Sequence, residues 1–104
     1  MIRHFVLLNW KPDLEDSDRE WILGQCRALA KIPSVKRLAM GALLQPGEEW
    51  YVPRMWTDFQ WAMTMEFDDE AALYEYQTDP YHAVVAQEIR KRVTIIKVTD
   101  FVAA

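Results

Sequence analysis

The stretch from Tyr76 to His82 carries the side chains of this chain that are best suited to acid–base chemistry. A phenol and an imidazole that share one cavity would form a candidate acid–base pair. On one continuous helix, Tyr76 and His82 would project from different faces. Between them, Asp79-Pro80 predicts a break, because Asp caps a helix start and the residue before Pro avoids the helical region. A change of direction there would let both side chains meet; the alternative is a buried Tyr beside a His that caps a helix.

Length and composition limit the classes of protein to consider. With 104 residues, of which 51% are hydrophobic and 12% aromatic, the chain is predicted to be one folded globular domain, residues 1–104. Its net charge is −4 and its basic residues are scattered, with the tightest group at Arg90-Lys91-Arg92. We interpret that group as the complement of a helix dipole and expect no nucleic-acid binding. No apolar stretch is long enough to cross a membrane.

The cysteine content and the N-terminus indicate the compartment. The single cysteine, Cys26, allows no internal disulfide, which favours a reducing compartment. Cys26 falls in a predicted amphipathic helix, so we expect it to be a small residue of the core rather than a nucleophile. The N-terminus leads directly into a strand-like run without the pattern of a signal peptide. We therefore expect a cytoplasmic protein.

The first half of the chain predicts strand, helix and strand. Ile2 to Trp10 has apolar residues on both faces, as in a strand covered on both sides. The segment from Ser17 to Glu20 matches a capping box, which would begin a helix that stops before Pro33. The apolar stripe of this helix would be Trp21, Ile22, Gln25, Cys26, Ala28, Leu29 and Ile32. Val35 to Leu44 predicts a second strand, with Gly41 as a bulge or a point of close backbone approach.

The irregular segment from Gln45 to Asp58 carries three large aromatic residues, Trp50, Tyr51 and Trp56. Loops this aromatic usually fold back over the protein. Two interpretations stay open: a cover packed on the edge of the core, or a lid over a pocket.

The second half predicts strand, two helices and strand. Phe59 to Phe67 shows the clearest alternation of the chain, with one strongly apolar face. Asp68-Asp69 would start a short helix through Tyr76, and a second helix would run from the Asp79-Pro80 break to about Lys91. Val93 to Phe101 is rich in β-branched residues and predicts the last strand.

The resulting βαββααβ order predicts an α+β fold of the ferredoxin-like type, a four-stranded antiparallel sheet with helices on one face. The other face would expose a patch that includes Phe5, Leu7, Leu43 and Ile95, larger than a soluble monomer normally tolerates. Packing this open face against a twofold-related copy would cover it, so we predict a homodimer.

Several motifs together resemble one known family. They are the opening Ile2-Arg3-His4-Phe5-Val6-Leu7-Leu8, the link Ile32-Pro33-Ser34-Val35, Gly41, the passage Met65-Glu66-Phe67-Asp68-Asp69-Glu70-Ala71, Tyr76 with Asp79-Pro80-Tyr81-His82, and the closing Val98-Thr99-Asp100-Phe101. Over nearly its full length the chain is similar to the stress-responsive dimeric α/β-barrel domain family, Dabb. The resemblance implies a dimeric α/β barrel in which two sheets face each other with the helices outside.

The resemblance also implies a site. Some family members are plant stress proteins with no assigned chemistry, and others act on hydrophobic polyketides or cyanohydrins. In the member that makes olivetolic acid, a Tyr and a His at the positions of Tyr76 and His82 are catalytic, and a further His matches His4. The implied substrate-binding residues are Val6, Leu8, Trp21, Ile22, Gln25, Trp61, Met63, Met65, Leu73 and Val98. Trp61 stands where that relative has another His, and Trp21 and Trp61 would fill space that a substrate needs.

The first functional hypothesis is an enzyme that transfers protons on a small hydrophobic carbonyl compound, as a cyclase or lyase without a cofactor. His82, close to the positive end of a helix, would stay neutral and act as the base. Tyr76 would donate to the carbonyl oxygen as negative charge develops there, and His4 would orient either partner. The spacing of His4, His82 and nearby acids matches no standard ligand pattern, so we expect no metal.

The second hypothesis is a non-catalytic dimer that binds a hydrophobic ligand or serves a structural, stress-related role, with the apolar face as plain core. A cofactor-free monooxygenase of the same barrel type fits the motifs less well. An open apolar cavity beside Tyr76 and His82 would favour the enzyme, whereas a cavity filled by Trp21 and Trp61 would favour the non-catalytic dimer.

Overall fold

The computed structural model describes residues 1–55 and 58–104. The elements in these residues are β1 (Ile2–Trp10), α1 (Asp16–Ala28), β2 (Arg37–Ala42), β3 (Trp61–Phe67), α2 (Glu70–Thr78), α3 (Pro80–Arg90) and β4 (Val93–Val102), with 3₁₀ turns at Leu29–Lys31 and Val52–Arg54. This is the predicted order, and the ferredoxin-like fold is confirmed. None of the helices in the described ranges is long and apolar enough to cross a bilayer.

The four strands form one antiparallel sheet in the order β2-β3-β1-β4. In its register, His4 of β1 lies between Met65 of β3 and Asp100 of β4. Since successive side chains of a strand point to opposite faces, residues directly opposite in register share a face. His4, Met65 and Asp100 therefore all belong to the face that the helices cover.

The core lies between that face and the helices. It is built from fully buried apolar residues of every layer, among them Leu8, Ile22, Leu29, Met65, Phe67 and Val85. On α1 the buried residues are Ile22, Leu23 and Cys26, so the predicted stripe missed Leu23. Trp21, predicted to be part of the stripe, is 47% exposed. Its ring lies under the Arg92 guanidinium, 4.9 Å from the ring centroid, and so covers the flank of the helix rather than the core.

The predicted capping box of α1 is wrong. The helix begins at Asp16, so Ser17 lies inside its first turn, and Glu15 occupies the N-cap without a side-chain hydrogen bond. Two acidic residues of the first turn, Asp16 and Asp18, complement the helix dipole instead. Asp18 also accepts from Arg92 Nε at 2.6 Å, which ties the start of α1 to the residues after α3.

The second strand and the following loop differ from expectation. β2 is shorter than the predicted Val35 to Leu44, and Gly41 pairs with Ala62 in regular register. A Cβ at Gly41 would meet nothing within 4 Å, so this chain alone shows neither a bulge nor a close approach there. In the described part of the loop, Trp50 and Tyr51 are exposed and pack on each other at 5.4 Å. Trp56 lies outside the described residues.

The open face of the sheet, opposite the helices, carries the predicted apolar patch. Phe5 and Leu7 of β1 and Leu43 beyond β2 are half-buried, while Ile95 and Phe101 of β4 are exposed. Phe5 and Phe101 stack with ring centroids 5.8 Å apart. Most of the patch lies on β1 and β4. Because these two strands are neighbours in the sheet, the patch is continuous across them.

Candidate functional site

A single extended residue separates the two helices that carry Tyr76 and His82. Asp79 has φ −65° and ψ 132°, so α2 ends at Thr78 and α3 starts afresh at Pro80. The Asp79 carboxylate accepts from the backbone N–H of Tyr81 at 2.8 Å, and so caps the new helix. The change of direction brings the Tyr76 and His82 rings to 4.4 Å between centroids. The break predicted from Asp79-Pro80 is thus present, and it places the two side chains in contact.

A cavity of about 320 Å³ lies beside this pair, between α2 and α3 and the β1–β4 half of the sheet. Three of its lining residues carry titratable rings: His4, Tyr76 and His82. The wall is otherwise mainly apolar, with Val6, Met63 and Val98 on the sheet side and Val85 and Ile89 on α3. Gln77 and Arg90 add polar groups to the lining. Polar rings in an otherwise apolar cavity are the usual composition of a small-molecule site.

His4 enters the cavity from the centre of the sheet. It is 3% exposed, and its Nδ1 lies 2.6 Å from Asp100 Oδ1. Its ring approaches Tyr76 edge-on, at 6.0 Å between centroids. Asp100 was not singled out as a site residue from the sequence. The signal was available, because strict alternation along the last strand places Asp100 on the same face as Ile96 and Val98.

His82 is half-buried, and its Nδ1 lies 3.2 Å from the backbone oxygen of Gln77. Loss of solvent on burial lowers the pKa of His82, and the nearby His4 and Arg90 act in the same direction, against the raising effect of the Gln77 oxygen. The helix dipole was the cause expected from the sequence, whereas burial is the largest cause here. Near neutral pH the imidazole is therefore uncharged and can accept a proton.

Tyr76 is 2% exposed and lies between the rings of Phe67 and His82. Burial raises the pKa of the Tyr76 phenol well above its usual value. The group therefore keeps its proton throughout the neutral range. Among the described residues, the Tyr76 hydroxyl has no hydrogen-bond partner, so it is free to donate to a bound molecule.

Apart from the two tryptophans, the predicted substrate-binding residues fall into three sets, namely lining residues of the cavity, core residues, and Gln25. Val6, Met63 and Val98 line the cavity. Leu8, Ile22, Met65 and Leu73 lie in the core outside it. The side-chain oxygen of Gln25 accepts from the Tyr81 hydroxyl at 3.0 Å, away from the cavity. The positions on α3 that form the outer wall, Val85 and Ile89, were read from the sequence only as an apolar stripe.

The two tryptophans expected to fill the cavity lie elsewhere. Trp21 is the exposed residue under Arg92. Trp61 is half-buried on β3, where it packs against Trp10 at 6.3 Å between ring centroids. Neither lines the cavity beside Tyr76 and His82. The described residues also contain no group of three or more His, Cys, Asp or Glu side chains that could hold a metal ion.

Solved structures with the same fold come from plants and bacteria. The hydroxynitrile lyase of Passiflora edulis superimposes with a TM-score of 0.86 at 22% identity, covering 99% of this chain and 93% of that one. A Dabb family protein of Mesorhizobium loti gives 0.78 at 24% identity, with 99% and 96% covered. A dimeric ferredoxin-like protein of unknown function from Thermobifida fusca gives 0.78 at 23% identity, with 98% and 90% covered.

Identities this low show a shared fold and carry no activity with them. No curated protein matches the sequence significantly. The family assignment rests on the sequence itself, because residues 2–103 match the profile of the stress responsive A/B barrel domain. From strand β1 to the end of β4, the chain therefore belongs to the stress responsive A/B barrel (Dabb) domain family.

Proposed function

We propose that the cavity is the active site of a cofactor-independent lyase or cyclase that transfers protons on a small hydrophobic carbonyl compound. The observation that carries the proposal is the meeting of Tyr76, His82 and His4 around one largely apolar cavity. Apolar walls suit a hydrophobic substrate, and excluding water strengthens each polar interaction with it. The non-catalytic hypothesis expected a cavity filled by Trp21 and Trp61, and neither lines it.

In the proposed mechanism, His82 is the base and Tyr76 the hydrogen-bond donor. The neutral His82 ring takes a proton from the substrate, either from the carbon next to a carbonyl or from the hydroxyl of a cyanohydrin. Tyr76, whose proton is retained because its pKa is raised, donates to the substrate oxygen as negative charge develops there. In cyanohydrin cleavage the electrons of the C–C bond leave with cyanide, which regains the proton from His82. The products are an aldehyde and hydrogen cyanide.

A cyanohydrin is the first substrate to test, because one neighbour with this fold is a hydroxynitrile lyase. We propose to follow aldehyde release from mandelonitrile by absorbance. The Tyr76→Phe variant is expected to lose about 10²–10³-fold in kcat, the usual effect of removing one donor to a developing oxyanion. The His82→Gln variant should lose about 10²–10⁴-fold, the usual contribution of a general base.

Tyr74→Phe provides the matched control. Tyr74 also lies on α2, but it is 57% exposed and its hydroxyl bonds to Glu70 at 3.2 Å. Its removal should leave turnover unchanged. Turnover that survives in both Tyr76→Phe and His82→Gln would contradict the proposed roles. If neither cyanohydrins nor linear polyketides react with the wild type, while hydrophobic carbonyl compounds bind saturably, the chain is a ligand-binding dimer instead.

We also propose that the open face of the sheet forms a homodimer. The stacked Phe5 and Phe101, with Leu7 and Ile95, give that face a continuous apolar surface suited to self-association. Structural neighbours described as dimeric support a homodimer. Sedimentation equilibrium at micromolar concentration should give twice the mass of the 12.3 kDa chain.

The dimer proposal has a matched pair of variants. Phe101→Glu places a charge in the proposed interface and should shift the protein to monomer. Tyr74→Glu makes the same kind of change on the helical side and should leave the mass unchanged. A wild-type monomer, or a dimer equally sensitive to both variants, would contradict the assignment of the interface.

A further inference from the structure

We infer that Asp100 is a positioning residue that holds His4 with its Nε2 free, so that His4 serves as a second proton acceptor of the cavity beside His82. The inference rests on the proposed function. It concerns His4 Nε2 and the Asp100 carboxylate, which have no role in the proposed mechanism. It assigns Asp100 a role in the site, and it narrows the class of substrate that the site would accept.

The first support is the geometry of the pair. His4 and Asp100 lie directly opposite each other on neighbouring strands, so the sheet itself sets their separation. The distance from Nδ1 to Oδ1 is 2.6 Å, short for a nitrogen–oxygen hydrogen bond. The His4 side chain is 4% exposed and that of Asp100 is 37% exposed. A carboxylate at the sheet edge thus faces one side of an imidazole whose other side borders the cavity.

The second support is the hydrogen-bond chemistry of both imidazoles. An ionised carboxylate only accepts hydrogen bonds, so the neutral His4 ring carries its proton on Nδ1. A backbone carbonyl also only accepts, so the same holds for His82, whose Nδ1 faces the Gln77 oxygen. Each ring therefore keeps a lone pair on Nε2. The cavity is lined by two imidazole acceptors and one phenol donor.

The third support is the unused capacity of His4. Within the described residues its Nε2 makes no hydrogen bond, although the residue is 3% exposed. Among the described residues, Nε2 is not one of the fully buried polar atoms that lack a partner, so it opens to the cavity that His4 lines and can accept from a bound molecule. A proton taken by Nε2 would create an imidazolium held against the Asp100 carboxylate, as the aspartate of hydrolase triads stabilises its histidine. Among the described residues, His82 Nδ1 faces the Gln77 carbonyl, and no carboxylate forms a hydrogen bond with this ring.

This arrangement favours a substrate with two acidic hydrogens near one carbonyl or hydroxyl oxygen. A 1,3-dicarbonyl compound or a β-hydroxy ketone offers an acidic C–H for one imidazole and an enol or hydroxyl O–H for the other. Tyr76 would donate to the remaining oxygen. Cleavage of a cyanohydrin removes only its O–H proton and so engages a single imidazole, which should make a cyanohydrin the poorer substrate of the two classes.

The test reads the two imidazoles directly. The chain has two histidines, so long-range ¹H–¹⁵N spectra of the labelled protein contain two ring patterns, which distinguish Nδ1–H from Nε2–H. In spectra recorded at pH 8, the neutral form of each ring is expected to carry its proton on Nδ1. In Asp100→Ala the His4 pattern should change to a mixture or to Nε2–H, while that of His82 stays. Thr99→Ala, a change on the adjacent residue of β4, which lies opposite Phe5 and therefore on the face away from His4, should alter neither.

Recording the wild-type spectrum requires neither a folded variant nor catalytic turnover. A wild-type His4 with its proton on Nε2 would overturn the inference even if the enzyme proposal holds. Conversely, the predicted spectra would stand if no substrate reacts, which separates this inference from the proposed function. Where turnover is found, Asp100→Ala should lower kcat for a 1,3-dicarbonyl substrate at least 10-fold more than for mandelonitrile. Equal losses on the two substrates would contradict the second-acceptor role.

Discussion

Removing the cap at Asp79 should affect both the stability of the fold and the position of His82. The Asp79 carboxylate holds the Tyr81 N–H at 2.8 Å, and loss of such a cap typically costs about 1 kcal/mol. For a domain of this length, 1 kcal/mol corresponds to a fall in Tm of roughly 4–8 °C. Because His82 lies in the first turn of α3, fraying of this turn in Asp79→Ala should also loosen its contact with Tyr76.

The other helix cap provides the control. Asp69 accepts from the Ala72 N–H at the same 2.8 Å and starts α2. Asp69→Ala should therefore lose a similar free energy of unfolding without disturbing His82. Asp79→Asn should keep most of the stability, because Asn caps a helix about as well as Asp.

Urea unfolding and the ring-current shift of the His82 imidazole would measure the two effects separately. The expected pattern is equal loss of stability in Asp79→Ala and Asp69→Ala, with movement of the His82 signal confined to Asp79→Ala. If Asp79→Ala kept the wild-type stability, or if both variants moved His82 equally, the cap would not be what positions this side chain.

Two further predictions follow from the titrating groups. Folding lowers the pKa of His82, so between the folded pKa and about 6.5 the unfolded chain binds more protons than the folded one. The free energy of unfolding should therefore fall as the pH drops through this range. Urea midpoints between pH 8 and pH 5 would show this loss, which should be smaller in His82→Gln; an equal loss would place its cause elsewhere. Burial raises the pKa of the Cys26 thiol to about 11, so a disulfide reagent at pH 8 should react with it only after unfolding. Rapid reaction of the native protein would contradict this.

The elements with strong local signals were predictable from the sequence. Alternation over Ile2 to Trp10 gave the first strand with its observed bounds, and Asp79-Pro80 gave the break between the helices. The start of α1 was misplaced because Asp16, Ser17 and Asp18 are all plausible residues for a helix start, and local pattern does not rank them. Trp21 was assigned to the core because its spacing places it on the apolar stripe of the helix, whereas its contact with Arg92 joins residues far apart in the sequence.

The site was predictable only in part, for a physical reason. Tyr76 and His82 are close in sequence, so the local break was enough to suggest that they meet. The His4–Asp100 contact spans 96 residues and depends on the register between β1 and β4, which no local pattern sets. The same holds for the outer wall of the cavity, because the tilt of α3 decides which of its apolar residues face the sheet.

Binding of an unreactive aromatic ketone tests the central claim most directly, because it requires the cavity and its imidazoles but no turnover. Titration with benzophenone, whose carbonyl has no α-hydrogen for His82 to remove, should shift the Nε2 signals of both His4 and His82 along one saturable curve. Ala86 lines the cavity and Ala83 is exposed on the same helix, so Ala86→Phe should abolish the shifts and Ala83→Phe should preserve them. The absence of a saturable shift in the wild type, or shifts that persist unchanged in Ala86→Phe, would contradict the proposal that this cavity binds a hydrophobic carbonyl compound.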